Sequence, residues 1–286
     1  MRPASASLPV AVFDSGVGGL TVLHECLVSL PHEDFVYLGD TARFPYGSRS
    51  AAQLEAFAHE LAEELLERGA KLLVVACNSA TAAALPALRE SLIGRVGVVG
   101  VIEPEAAAAA RATRRGEVGL LATPATVASG SYADAIGAVD PFVQLTAVPC
   151  ADLAKLIERA SPWDDLVVDA VRAACEPLRD AGVDTVVLGC IHYSLVSPLL
   201  QRMLGRGVHI VTSGAPVAHQ VEHVLGALGL ANPQSAEGRY RFLCTGDEDA
   251  FAAQGTRFLQ MPLGEVEPVT LRGAPPASSL RARSGS

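Results

Sequence analysis

A chain of 286 residues, half of them apolar and with a formal net charge of −9, has enough hydrophobic content to bury one or two globular cores and is not a disordered chain. No apolar stretch approaches the roughly 20 residues of a membrane helix, MRPASASLPV reaches Asp14 too early for a secretory h-region, and the acidic balance argues against direct nucleic-acid binding. The expectation is a cytoplasmic protein, free of membranes, whose six cysteines (26, 77, 150, 175, 190 and 244) are free thiols, because they lack the dense spacing of a disulfide scaffold.

In chain order, the runs VAVF (10–13), FVYLG (35–39), LLVVA (72–76), VGVVGV (96–101), VGLLA (118–122), TVVLG (185–189) and HIVTS (209–213) predict strands. AAQLEAFAHELAEELLERG (51–69) and DDLVVDAVRAACEPLRDAG (164–182) have helical apolar spacing and end in glycine, which predicts amphipathic helices closed by a C-cap. RYRFLCTGDEDAFAAQGTRFLQ (239–260) predicts one more strand and a short helix returning to a sheet already formed. From residue 265 the composition turns to Pro, Gly, Ser and charge, which predicts a poorly ordered tail over 265–286.

Continuous apolar strands alternating with such helices predict an α/β fold with parallel sheets sandwiched by helices. The chain also repeats itself loosely. LLERGAKLLVVACNSAT (65–81) lines up with LRDAGVDTVVLGCIHYS (178–194), and AVFDSGVGGLTV is echoed more weakly by GLLATPATVASG. Two pseudo-symmetric α/β units account for both echoes and place Cys77 and Cys190 at corresponding strand ends, the edge where open α/β sheets bind ligands.

FDSGVGGL (13–20) carries three glycines after a strand, the pattern of a tight turn or a close backbone approach to an anion at a helix N-terminus. It fails as a nucleotide signature, because Thr21 stands where the dinucleotide pattern needs glycine and no Gly-Lys-Ser/Thr ending follows. Asp14 and Ser15 remain, either as site-edge residues or as helix caps. Pro45, Tyr46, Gly47 and Ser48 sit in a strand-to-helix loop, a natural place for ligand-contacting groups. In ACNSAT (76–81), Cys77 opens a helix whose N-terminus favours the thiolate, with Asn78, Ser79 and Thr81 beside it. Three readings stand for Cys190: a buried packing residue, a metal ligand with His192, or a reactive thiol. Zinc has spacing against it, since neither Cys77 nor Cys190 belongs to a C-x₂-C pair.

Two thiols facing each other across a cleft match the inversion of a stereocentre through a carbanion, with one thiol removing a proton from one face and the other delivering a proton to the opposite face. Asp14 beside Cys77, and His192 beside Cys190, are the candidate assistants. Such a site needs desolvation and aimed donors to stabilise the carbanion.

VFDSGVGGLTVL, YLGDTARFPYGS, VVACNSATA, VVGVIEP, GLLATPATV and VLGCIHY together resemble glutamate racemase, over residues 10 to 260. The resemblance implies a cofactor-independent enzyme that supplies D-glutamate for peptidoglycan, commonly a homodimer, with its active site between two α/β domains. These domains would be 8–100 plus 212–264, and 101–211. It makes Cys77 and Cys190 the catalytic thiols, Asp14 and His192 their assistants, and Glu158 a further catalytic residue if CADLAKLIE (150–158) aligns. Contacts to glutamate would come from Asp14, Ser15, Pro45, Tyr46, Gly47, Asn78, Ser79, Thr123, Thr126, His192 and the backbone at Ile191; no metal is implied. Ser79 keeps the hydroxyl of the family's threonine, whereas Ile191 loses one, which predicts weakened glutamate affinity. The alternatives are a racemase of aspartate or another acidic amino acid, and a regulatory protein that keeps the fold, as some glutamate racemases inhibit DNA gyrase.

Overall fold

The VAVFD and FVYLG runs are buried at every position, as strands with no polar face must be. The computed structural model, which describes residues 5–159 and 164–271, places them side by side in the first of two parallel sheets. That sheet takes β1 (Val10–Asp14), β2 (Phe35–Gly39), β3 (Leu72–Val75) and β4 (Gly97–Gly100), linked by α1 (Leu20–Ser29), α2 (Ala51–Glu67) and α3 (Asn78–Ser91). The next helix, α4 (Ile102–Ala112), leads to the second sheet. There β5 (Glu117–Ala122) is followed by α5 (Pro124–Ala128), α6 (Ser131–Val139) and β6 (Gln144–Pro149). The chain continues through α7 (Leu153–Arg159), α8 (Asp165–Asp180), β7 (Thr185–Gly189), α9 (Ser197–Leu204) and β8 (His209–Val211). It then returns to the first sheet through α10 (Gly214–Leu228), β9 (Tyr240–Cys244), α11 (Glu248–Leu259) and β10 (Val266–Pro268).

Strand order makes the internal repeat visible. The first sheet runs β10-β9-β2-β1-β3-β4 and the second β6-β5-β7-β8. Without the returning pair the two orders are the same, so β1 corresponds to β5 and β3 to β7, the strands that the sequence echoes join. Local chemistry sets the helix ends. Ser50 and Gln53 form a capping box on α2, and Asp164 caps α8 by accepting from the Val167 N–H at 3.0 Å. Gly69 and Gly182, after the same two helices, adopt φ of +83° and +67°, where a side chain would be strained. One hydrophobic cluster runs from Val12 and Val74 in the first sheet through Ile102 and Ala106 of α4 to Val118 and Val187 in the second, so the cleft between the sheets has a continuous apolar floor.

Two expectations need correction. The strand β6 has no counterpart in the sequence reading, because QLTAVP is half exposed at a sheet edge and shows no continuous apolar run. The tail predicted from 265 is ordered at its start: Val266–Pro268 pairs in parallel with β9, and Val269 and Leu271 are buried in the first sheet's core. Val266, Val269 and Leu271 supply enough apolar surface to extend the sheet despite the polar residues between them. Residues 272–286 lie outside the described residues. No helix among the described residues is long and apolar enough to cross a membrane.

Candidate active site

β1, β3, β5 and β7 are interior strands of their parallel sheets, and the chain turns after each of them at the cleft. Ser15, Pro45, Tyr46, Gly47, Cys77, Asn78, Ser79, Thr123, Cys190, Ile191 and His192 line one cavity there, while Asp14, Thr126 and Glu158 stand behind its wall. The cavity measures about 30 Å³, the scale of one or two waters. Both thiols are almost fully covered, Cys77 at 5% and Cys190 at 7% exposure. The two sides of the cleft meet around the thiols. Several hydrogen bonds join them across the cleft, among them Ile191 N–H donating to Asn78 Oδ1 at 3.1 Å and the Ser79 and Thr123 hydroxyls meeting at 2.9 Å.

On the first-sheet side, Asp14 is fully buried at the end of β1. Its Oδ2 accepts from the Gly16 and Gly19 N–H groups at 3.1 and 3.0 Å, and the Ser15 hydroxyl donates to Oδ1 at 3.3 Å. The anion held by the glycine loop is thus Asp14's own carboxylate, and none of the three glycines has positive φ. They are glycines for proximity. A Cβ on Gly18 would lie 2.7 Å from the His192 ring and 2.9 Å from Ile191 Cγ1, and one on Gly19 would lie 2.7 Å from the Asp14 Cβ. Cys77 occupies the N-cap position of α3. Burial pushes its thiol up and the Asp14 carboxylate adds to the rise, while the Ala80 N–H and the Ser15 hydroxyl pull the other way and Cys190 raises it further. Cys77 is accordingly held as a neutral thiol.

On the second-sheet side, Cys190 Sγ lies 3.9 Å from His192 Nδ1, and His192 Nε2 lies 3.4 Å from Glu158 Oε2 on α7. The imidazole is packed at 5.4 Å between centroids against both Phe44 and Phe258. Burial alone would lower the His192 pKa, but the contacts with Cys190 and Glu158 outweigh it and push it up to about 10. An imidazolium therefore stands beside Cys190 at neutral pH. Glu158, reached from the sequence only through a loose alignment, is the group that backs it.

The remaining predicted contacts divide by what they touch. The Tyr46 hydroxyl is turned away from the cavity and donates to the Asp40 carboxylate, which also accepts from Arg43 Nε at 2.5 Å and the Thr245 hydroxyl at 2.7 Å. Only the rest of Tyr46 faces the site, and Asp40 anchors the loop that carries Pro45 and Gly47. Thr126 supports Thr123 at 3.0 Å and Ser79 at 3.3 Å. Among the described residues no group of three His, Cys, Asp or Glu side chains is placed to hold a metal ion.

Several site residues escaped the sequence reading. Phe44 and Phe258 clamp His192, Tyr37 lies against the Asp14 loop through a hydrogen bond to the Gly16 carbonyl at 2.9 Å, and Lys155 stands at the cavity wall. Behind Asn78, its Nδ2 donates to the Tyr132 hydroxyl at 2.8 Å and to Glu105 Oε2 at 3.2 Å, and Tyr132 donates to the same carboxylate. Burial pushes Glu105 up to about 7 against the pull of the Ser213, Tyr132 and Asn78 groups around it. No sequence signal separates Glu105, fully buried, from Glu103, which is exposed and paired with Arg89. Both read as ordinary acidic residues in the first turn of a helix.

Chemically, the site offers a neutral thiol on one wall, a thiol beside an imidazolium on the other, and hydroxyl and amide groups between them. Both thiols therefore border the same cavity, one from each sheet. A family model described as Asp/Glu/Hydantoin racemase matches residues 21–221. The chain belongs to that family. A glutamate racemase of Beutenbergia cavernae is 43% identical over 269 residues, covering 90% of this chain and 91% of its own. The crystal structure of a glutamate racemase from Bacillus anthracis superposes with a TM-score of 0.88 at 35% identity, covering 94% of this chain and 98% of that one. A glutamate racemase from Francisella tularensis, crystallised with D-glutamate, gives a TM-score of 0.87 at 29% identity, with 94% and 100% covered. Membership in this family agrees with a racemase architecture built on two parallel sheets with the site between them.

Proposed function

We propose that this chain interconverts L- and D-glutamate without a cofactor, with Cys77 and Cys190 as the two acid–base groups. One observation carries the reading: two thiols at corresponding ends of β3 and β7 line the same cavity from opposite sheets. In one direction a thiolate takes the α-hydrogen as a proton, the electron pair stays on the α-carbon, and the opposite thiol returns a proton to the other face. The reverse reaction exchanges the two roles. Asp14 and the Ser15 hydroxyl serve the Cys77 side, and His192 backed by Glu158 serves the Cys190 side. The developing charge is met by groups already aimed into the cavity, among them the Ile191 N–H and the Ser79 and Thr123 hydroxyls. Residues 8–100 and 212–264, extended to 271 by β10, would form one lobe and 101–211 the other.

Glutamate is favoured over aspartate because the relatives described above, at 29–43% identity, are named for glutamate, whereas an aspartate racemase from Picrophilus torridus, at 15% identity, shares the fold alone. The product would supply D-glutamate for the peptidoglycan layer, from a homodimer in the cytoplasm. The test is direct. Purified protein is incubated with L-glutamate and, separately, with L-aspartate, and both enantiomers are quantified by chiral chromatography. D-Glutamate at a steady rate, with aspartate far slower, is the expected outcome; no inversion of glutamate by folded protein rejects the proposal.

A further inference from the structure

A side-chain amide has a donor end and an acceptor end, and which end faces a cleft decides what the cleft binds. At Asn78 the surroundings settle this from both sides. Toward the cleft stands the Ile191 N–H, which is only a donor, so the atom 3.1 Å from it must be the carbonyl oxygen. Behind Asn78 stands the Glu105 carboxylate, an acceptor when ionised. It accepts from Asn78 Nδ2 at 3.2 Å and from the Tyr132 hydroxyl, whose oxygen is then free to accept from the same Nδ2 at 2.8 Å. The chain of donors therefore runs in one sense, from Ile191 to Asn78 and from Asn78 to Tyr132 and Glu105.

We infer that Glu105, through Tyr132, is a positioning residue that locks the Asn78 amide with its oxygen toward the cleft, and so sets the affinity for the amino-acid substrate. The inference rests on the racemase proposal above. In the closed cleft, Asn78 Oδ1 and Ile191 N–H satisfy each other. An α-amino acid carries an ammonium donor and a carboxylate acceptor on neighbouring atoms, and by entering it separates that pair and offers each member a charged partner. The exchange holds only while Asn78 presents oxygen. Without an acceptor at position 105, the Tyr132 hydroxyl is free to donate to Asn78 Oδ1, the amide is drawn around, and Nδ2 is turned toward the Ile191 N–H and the substrate ammonium, donor against donor.

A burial of this kind is costly in itself. Glu105 is fully enclosed, with Asn78 and Ser213 as neutral neighbours and Tyr132 as the titratable one, whose hydroxyl burial holds well above its usual range. Burying a carboxylate with no cationic partner costs stability, so removing it returns that cost, set against the loss of its hydrogen bonds with Asn78 and Tyr132. A purely structural Glu105 and a positioning Glu105 therefore predict different things.

The experiment compares wild type, Glu105→Leu and Glu105→Gln for melting temperature and for kcat and KM with both enantiomers of glutamate. Glu105→Leu is expected to melt at or above wild type, yet to raise KM roughly tenfold with a smaller change in kcat. Glu105→Gln keeps a carbonyl acceptor at the Oε2 position for Asn78 and Tyr132, its Nε2 replacing Oε1, which lies 3.5 Å from Asn78 Nδ2, and is expected to hold KM within about threefold of wild type. An unchanged KM in folded Glu105→Leu overturns the inference, as does a loss confined to kcat or a Glu105→Gln variant as impaired as Glu105→Leu. If Glu105→Leu does not fold, Tyr132→Phe tests the same point, with a KM rise of roughly threefold expected and no rise overturning it. Should wild type itself fail to racemise glutamate, the racemase proposal fails; if it racemises and these variants behave as wild type, only the positioning role fails.

Discussion

The two thiols share a backbone plan and differ in their company. Cys77 and Cys190 both follow interior strands, β3 and β7, that occupy the same place in their sheets. Cys77 has for its neighbour a carboxylate, Asp14, tied down by two backbone N–H groups, and is held protonated. Cys190 has an imidazolium, His192, backed by Glu158. Duplicated strands supply symmetry of position, but the reaction also needs a proton on one side and its absence on the other. The side chains added to the repeat give the two thiols different neighbours, a carboxylate at Cys77 and an imidazole at Cys190. Because enantiomers have equal free energy, any variant must lower kcat/KM by the same factor in both directions. The asymmetry is therefore visible in pH profiles and isotope patterns rather than in a preferred direction.

Removing either member of the pair gives the largest effect. Cys77→Ala and Cys190→Ala should each lower kcat/KM for racemisation by at least ~10³-fold, since a two-base path has no partial version. A variant retaining a tenth of wild-type activity would break the comparison. Gly18→Ala comes next. It puts a methyl group within 2.7 Å of the His192 ring and displaces the imidazole from Cys190, and kcat should fall roughly 10²-fold while Cys77 keeps its surroundings.

Glu158→Gln acts through His192. That imidazole is raised to about 10 from its ordinary 6.5, so the stability it contributes is fully present below pH about 6.5 and is lost as pH rises through about 10. Neutralising Glu158 should move the alkaline limb of the kcat/KM profile down by about one pH unit or more; an unmoved limb would separate Glu158 from His192. Ile191→Thr is the mildest change. A hydroxyl that reaches a charged group contributes about 1.5–3 kcal/mol, but Ile191 also packs against the first sheet near Gly18. A severalfold fall in KM is expected, and titrating initial rates against glutamate concentration reads it.

Much of the site is legible in the sequence because it follows continuous apolar runs. Asp14, Cys77, Thr123 and Cys190 each mark the point where such a run ends and polar residues begin, and a parallel sheet brings those points to one edge. Residues that act through tertiary contact left no such mark. Gly18 reads as turn chemistry until the His192 ring is seen against it. Glu105 and Glu103 share one helix turn and one charge, and only the arrival of Tyr132 from α6 separates a buried carboxylate from an exposed one. The edge strands β6 and β10 were missed for a related reason: a strand covered on one side shows neither a continuous apolar run nor the length that makes alternation countable.

The central claim is that two different groups handle the two proton transfers, and initial-rate racemisation of L-glutamate in D₂O reads this most directly. At low conversion the D-glutamate formed should carry one solvent-derived deuterium at the α-carbon, while the remaining L-glutamate stays unlabelled. A D-glutamate product that keeps the substrate's own α-hydrogen, or deuterium appearing equally in recovered L-glutamate, would contradict the two-thiol account.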